Sequence, residues 1–420
     1  MEENRETGPM QPTATGPLAG VRVLDLSRVL AGPWATQILG DLGAEVVKVE
    51  QPGQGDDTRR WGPPFLPDGS RDSAYYLCAN RNKKSVALNM ADPRGAEIIR
   101  AMARQADIVV ENFKVGGLKK YGLDYASLSA DNPKLVYCSI TGFGQTGPLK
   151  ERGGYDFLIQ GMSGLMSVTG RADGEAGAGP VKVGIPVSDL FTGLYAVISV
   201  LAALNHARAT GEGQHIDCAL LDTQVALLAN QASNYLNGAA LPRRLGNEHP
   251  NTVPYQDFVT ADGSEILVAL GNDRQFRSFC ALLGRPELAE DPRFADNAGR
   301  NANRKLLQAA LGGEICRWQP EALLEAMDAR NLPGGKVNSI PEILASEQIS
   351  ARGLIKTLHR ADGTEVKILG FPEHFSRTPA NYRCAPPRMG GDTDEVLRAQ
   401  GLTETEIAAL KAAGVAADGL

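Results

Sequence analysis

The chain has 420 residues, 43% hydrophobic and 22% charged, with a formal net charge of -6. Those are the proportions of a globular protein able to bury an ordinary core, and the acidic balance argues against nucleic acid as the main partner. Six scattered cysteines without a C-x-x-C pair and five dispersed histidines offer no metal-ligand spacing, and they fit free, mostly buried thiols in a reducing, cytoplasmic compartment.

Residues 1–16 are acidic and rich in Pro, Gly and Thr, without the apolar core of a secretory signal, and read as a disordered tail. "VRVLDL" (Val21–Leu26) has a strand pattern, "SRVLAGP" a loop, and "PWATQILGDLG" a helix opening at Pro33 and ending at Gly43. "AEVVKVE" completes a βαβ unit. The alternation continues with strands at Ser85–Leu88, Asp107–Glu111 and Lys134–Ile140 and a helix over Pro93–Gln105. This predicts an α/β fold around a largely parallel sheet. "QHIDCALL" and a helix from Asp222 extend the same layer over residues 17–236. Residues 237–250 read as a linker. A smaller α+β domain over 251–348 opens with a hairpin at Asp262-Gly263. A return segment over 349–420 holds a second Asp-Gly hairpin and closing helices, the last with Thr403 and Glu406 spaced as a capping box.

The first βα turn carries one glycine, Gly32, and no G-x-G-x-x-G, and no Walker loop is present, which disfavours nicotinamide and ATP chemistry. "NRNKKS" (Asn80–Ser85) reads as a solvated basic surface or a phosphate clamp. Polar loops after three strands, at Ala31–Trp34, Asn112–Phe113 and "SITGFGQTGP", lie where open α/β sheets bind ligands. "VGIPVSDLFTGLYAVISVLAAL" is a helix with a wide apolar stripe. Ser188 or Asp189 at its start is either a cap or, for Asp189, a chemical group. The longest apolar run, Leu194–Leu204, is short of the ~18–20 residues of a membrane helix, so no membrane partner is expected.

Taken together, "PLAGVRVLDLSRVLAGPWATQILGDLGAEVVKVEQPGQGDDTR", "NRNKKSVALNM", "VENFKVGGLKKYGL", "SITGFGQTGP", "GYDFLIQGMSGLMSVTG" and the Asp189 segment resemble the class III CoA-transferases, the CaiB/BaiF group. The likeness is greatest, through "RVLAGP", "DDTRRWGPPF", "NRNKKS" and "PYQDF", to a dicarboxylate branch typified by succinate–hydroxymethylglutarate CoA-transferase. The resemblance implies a Rossmann-like large domain, a smaller domain and an interlocked-ring homodimer. It implies coenzyme A and acyl-CoA as substrates, with no metal and no nicotinamide. Asp189 falls on the family's nucleophile. CoA contacts carry over to Leu30, Ala31, Leu88, Asn89, Met90, Ala91, Asn112, Phe113, Lys114, Lys120, Thr141, Gly142 and Phe143, and an active-site loop to Gly271 and Asn272. Two positions depart: the loop reads "LGNDRQF" rather than a glycine run, and an arginine near the adenine is Gln51 here.

Asp189 is expected to take the acyl group as a mixed anhydride and then to carry CoA as a thioester. At an ordinary pKa of ~3.9 it would be ionised without a histidine base, while still capping its helix. Backbone N–H groups near Gly271 would serve as oxyanion donors. Arg28 would hold the second carboxylate of a diacid or else make a structural ion pair. Two other readings stay open. One is an acyl-CoA racemase, which in the resembling branch needs a histidine where Tyr155 stands; the other is a CoA-binding protein without catalysis.

Overall fold

The computed structural model describes residues 15–238 and 241–419, so 1–14 of the expected tail lie outside it. The chain divides into two compact units. The first holds residues up to Ser163, Val183–Leu227 and the chain from Ile349 on; the second holds Gly164–Lys182 and Leu228–Gln348. Residues 164–182, and the chain from Leu228, therefore group with the second unit rather than with the expected large domain.

The first unit is built on β1 (Arg22–Asp25), β2 (Glu45–Glu50), β3 (Lys83–Leu88), β4 (Ile108–Glu111), β5 (Val136–Thr141) and β6 (Gln214–Ala219). They pair in parallel in the order β3-β2-β1-β4-β5-β6, and a short strand, Ala416–Ala417, adds antiparallel to β3. Strand order reverses between β1 and β4, the switch point at which such sheets open a crevice beyond their carboxyl ends. The helices as far as β6 and just beyond it are, in chain order, α1 (Ala31–Asp41), α2 (Ala74–Leu77), α3 (Pro93–Gln105), α4 (Tyr125–Asp131), α5 (Asp156–Met162), α6 (Leu165–Val168, in the second unit), α7 (Val187–Thr210) and α8 (Leu220–Ala226), and two C-terminal helices, Thr393–Ala399 and Glu404–Ala412, return to the first unit.

Side chains alternate along each strand and so feed two cores. On one face Val23, Val110, Val136 and Ile140 pack with Ala35, Ile38 and Leu39 of α1 and Val200 and Leu204 of α7. On the other, Leu24, Val86, Val109 and Tyr137 pack with Ile99 and Met102 of α3 and with Val396, Leu397 and Ile407 from the C-terminal helices. The expected strands stand within two residues of their observed bounds, and α3 coincides with its expected range. α7 corrects the membrane argument: it spans 24 residues and is long and apolar enough to cross a bilayer by length and composition. Val187, Leu190 and Phe191 before the run read from the sequence and Ala207 after it extend its apolar character, and Ala196, Ala203 and Ala207 are buried in the sheet-facing core. Its far side leaves Leu194, Tyr195 and Ile198 exposed.

"NRNKKS" is neither a solvated surface nor a phosphate clamp. Arg81 pairs with Asp41 at 2.6 Å, and Lys83, wholly buried, lies 3.1 Å from Asp25 and donates to Pro33 O and Asn80 Oδ1. Lys84 pairs with Glu395. The same buried network continues through Lys48–Asp56, Arg59–Glu50, Arg59–Asp72 and Arg360–Asp72, which tie the 51–73 loop and the C-terminal hairpin to the sheet. Cys138, Cys218 and Cys280 are buried, Cys384 is half-buried, and Cys78 and Cys316 are exposed; all are free.

In the second unit Tyr255–Val259 and Glu265–Ala269 form a hairpin turning at Gly263, whose φ is +85°, and Gly334–Lys336 adds a third antiparallel strand. Phe258, Ile266, Phe276, Phe279, Leu307, Leu323 and Met327 fill its core. The stretch read as a linker is anchored within this unit, since Arg304 donates to Glu248 and to His249 O and Arg244 pairs with Asp173. The second Asp-Gly hairpin, Ile355–His359 with Glu365–Leu369, belongs to the first unit. The Thr403–Glu406 capping box is present, and Ser339–Glu342 forms another.

Candidate active site

The switch point is bridged by one side chain. Asn112, just after β4, accepts from Arg28 N at 2.8 Å and donates to Arg28 O at 2.6 Å, which joins the loop after β1 to the loop after β4. The Arg28 guanidinium lies 5.3 Å from the Phe113 ring centroid and pairs with Asp57 at 3.0 Å, both partners being substantially exposed. An exposed pair of this kind stabilises little, so Arg28 keeps the freedom to exchange partners. The next turn opens α1, whose N-terminus no side chain caps.

The loop after β5 is held by a backbone contact. A Cβ on Gly142 would fall 2.6 Å from the Gly154 Cα, and the reverse is equally true, so neither position has room for a methyl group. That contact seats Thr141–Phe143 against the segment leading into Tyr155 and Asp156. α7 is set just as closely on α1. Gly193, one helical turn beyond Asp189 and on the same face, would place a Cβ 2.7 Å from Ala31 O. Leu30–Ala31, Asn112–Lys114, Thr141–Phe143 and Asp189 thus share the carboxyl edge of adjacent strands.

Asp189 does not cap α7. The cap position is Pro186, which offers no side-chain acceptor. Asp156, at the start of α5, supplies the carboxylate instead, with its Oδ1 accepting from Ser188 N at 2.7 Å and Asp189 N at 3.4 Å. Its Oδ2 is held by Gln160 Nε2 at 2.7 Å. Asp189 is therefore released from structural duty. Its carboxyl forms no ion pair among the described residues, and burial, with the charge of Asp156 added, pushes its pKa up to about 7. This corrects the expectation of a fully ionised group: the apolar surroundings and a like charge disfavour the anion. The side chain remains partly open to solvent. Tyr75 was not indicated by any pattern in the sequence. Burial and then the Asp189 charge push its phenol pKa upward, and its ring meets Trp61 edge-on at 5.3 Å.

Leu88 is wholly buried in the core and pairs with Ala416, so its side chain is structural. Asn89, Met90 and Ala91 follow it at the end of β3, two strands away from β1. Lys114, Lys119 and Lys120 are exposed, and none forms an ion pair among the described residues; Lys120 Nζ lies 4.7 Å from its neighbour Tyr121's ring centroid. In the second unit Asn272 caps Asp273–Leu282, and Gly271 N donates to Gln275 Oε1 at 2.8 Å, so the proposed oxyanion donor already has a partner. Among the described residues no cluster of His, Cys, Asp and Glu could hold a metal ion. A cavity of about 950 Å³, lined by Arg22, Glu45, Lys84, Arg383 and Arg388, sits at the opposite, amino edge of the sheet, away from Asp189.

Comparison with known proteins agrees with this geometry. The family model "CoA-transferase family III" matches residues 18–393. A succinate–glutarate CoA-transferase of Agrobacterium fabrum is 50% identical over 389 residues, covering 92% of this chain and 96% of that protein. The mouse succinyl-CoA:glutarate CoA-transferase is 42% identical over 382 residues, covering 91% and 86%. A crystal structure of a CaiB/BaiF family protein from Brucella suis aligns with a TM-score of 0.80 at 45% identity, covering 92% of this chain and all of that one. A fold whose crevice opens at the β1/β4 switch, a carboxyl group left uncommitted beside it, and a match running nearly end to end point the same way: the chain is an enzyme of CoA-transferase family III.

Proposed function

We propose that this enzyme moves CoA from succinyl-CoA to a dicarboxylic acid of the glutarate class, with Asp189 as the nucleophile. The observation that carries the reading is the state of Asp189: a carboxyl on the carboxyl edge of the sheet, relieved of capping by Asp156 and without a counter-ion among the described residues. The relatives named above act on succinate or succinyl-CoA and glutarate, which supports this substrate pair.

The Asp189 carboxylate attacks the thioester carbonyl, forming an anhydride and releasing CoA thiolate. The thiolate attacks the aspartyl carbonyl, giving an aspartyl-CoA thioester and free succinate. The acceptor carboxylate repeats the two steps in reverse. A desolvated carboxylate next to Asp156 is a destabilised ground state, and acylation removes its charge. Keeping CoA alongside the intermediate makes each step effectively intramolecular, an advantage of up to ~7–11 kcal/mol. Lys114 and Lys120, near the end of β4, suit the phosphates of CoA, as does the uncapped α1 terminus at Leu30 and Ala31. Arg28 exchanges Asp57 for the distal carboxylate of the diacid. A second copy of the chain covers the apolar side of α7 at Leu194, Tyr195 and Ile198, as the family's interlocked dimer implies, and the protein acts in the cytoplasm.

The test is a panel of mono- and dicarboxylic acids offered with succinyl-CoA, with product masses read directly. Hydroxylamine trapping should label the peptide carrying Asp189, and the label should vanish in Asp189→Ala. Full turnover in that variant would end the proposal.

A further inference from the structure

Glu111 closes β4 one residue before the bridging Asn112, and it is buried. It forms no ion pair among the described residues. Its Oε2 accepts from Phe113 N at 2.8 Å, and its carboxyl also meets the buried hydroxyl of Ser139, its register partner on β5. The Ser139 Oγ lies 2.9 Å from His215 Nε2 on β6. His215 is exposed, stacked on Tyr125 at 5.3 Å and edge-on to Tyr137. Three neighbouring strands thus carry a continuous carboxyl–hydroxyl–imidazole chain from the buried end of β4 toward solvent.

We propose that Glu111 is a positioning residue for the CoA thioester: through Phe113 N it fixes the Asn112–Lys114 loop, and the Ser139–His215 chain delivers the proton that loosens this hold. The inference rests on the proposed CoA contacts at Asn112–Lys114.

A serine hydroxyl has one hydrogen, so the chain has two arrangements. With Glu111 ionised, Ser139 donates to it and His215 Nε2–H donates to Ser139. When a proton arrives from water at His215 Nδ1, the Nε2 hydrogen passes to Ser139 and the Ser139 hydrogen to Glu111. Glu111 is then neutral, Ser139 donates to Nε2, and one proton has entered. The Phe113 N–H bond is charge-assisted in the first arrangement alone and is weaker in the second. Burial pushes the Glu111 pKa up to about 7, opposed by the Ser139 and Phe113 hydrogen bonds, so both arrangements occur near neutrality. The other groups around it do not compensate. Tyr137 and Cys138 on β5 are neutral, their pKa values raised by burial and, for Cys138, first by Cys218. On β6, burial lowers the His215 pKa against the pull of Asp217. On β1, Asp25 is taken by Lys83 and Lys48. Arg28 lies over Phe113 but is paired with Asp57.

The experiment measures CoA binding by calorimetry from pH 6 to pH 8, in Asp189→Asn, which removes turnover and the Asp189 titration, and in Asp189→Asn with Glu111→Gln. Titration of the CoA phosphate is common to both. The single variant should lose roughly fivefold more affinity than the double variant as pH falls. Adding Ser139→Ala to the single variant instead, which keeps Glu111, should move the midpoint to higher pH because a bond favouring the carboxylate is gone. Superimposable profiles for all three overturn the inference while leaving the CoA reading intact. Absence of CoA binding at every pH overturns both.

Discussion

Asp25 and Asp189 are the same residue type in the same unit, enclosed by protein, and they behave in opposite ways. Burial raises the pKa of each. At Asp25 the charges of Lys83 and Lys48, with hydrogen bonds from Ser27 and Thr36, more than reverse this and hold it at about 2. At Asp189 nothing reverses it, and the Asp156 charge carries it further up, to about 7. One carboxylate is spent on holding loops to the sheet; the other is left with reactivity. The contrast shows that burial alone does not set the state of a carboxyl. What matters is whether its neighbours leave it anything to do.

The contrast can be broken in four ways. The largest effect should come from Asp189→Ala: turnover falls by at least ~10³-fold, measured by product mass, while the protein stays folded. Because the folded pKa lies above the unfolded one, this group favours folding below pH 4 and costs stability as pH rises toward 7. Asp189→Asn should therefore gain stability over wild type at pH 8 and not at pH 4, read by urea denaturation. Next, Lys83→Met strands Asp25 without its nearest cation and should cost about 3–5 kcal/mol of unfolding free energy. That loss should shrink in acid, as Asp25 is protonated. Third, Asp156→Asn removes the like charge, so the acid limb of the kcat/KM profile should move to lower pH. It also weakens the α7 cap, at about 1 kcal/mol in thermal unfolding. An unmoved limb would mean that burial alone sets the Asp189 pKa. The smallest effect is Arg28→Leu, which should raise KM for diacids several-fold and leave monoacids nearly unchanged. Equal changes would assign Arg28 to Asp57 alone.

Much of this was legible in the sequence, for physical reasons. The strands from "VRVLDL" to "QHIDCALL" announce themselves because parallel strands buried on both faces are short apolar runs. The Thr403–Glu406 box is local chemistry three residues apart. Asp189 could be placed at a helix start, yet its role could not be separated from capping, because the true cap, Asp156, comes from a different helix. The basic run at Asn80–Ser85 is opaque for the same reason: the partner of Lys83 is Asp25 and that of Arg81 is Asp41, each distant in sequence. Tyr75 and Ala416–Ala417 carry no periodic signal at all. Charge patterns seen without their partners report composition rather than environment.

The Gly142–Gly154 contact has a practical consequence. Two turns pressed α-carbon to α-carbon shift together or not at all, so neither can be re-sculpted independently to widen the choice of acid. Efforts to retune this enzyme toward longer or branched acceptors will find more latitude in side chains that project from the rim, Arg28 and Phe113 foremost, than in the ribbon beneath them.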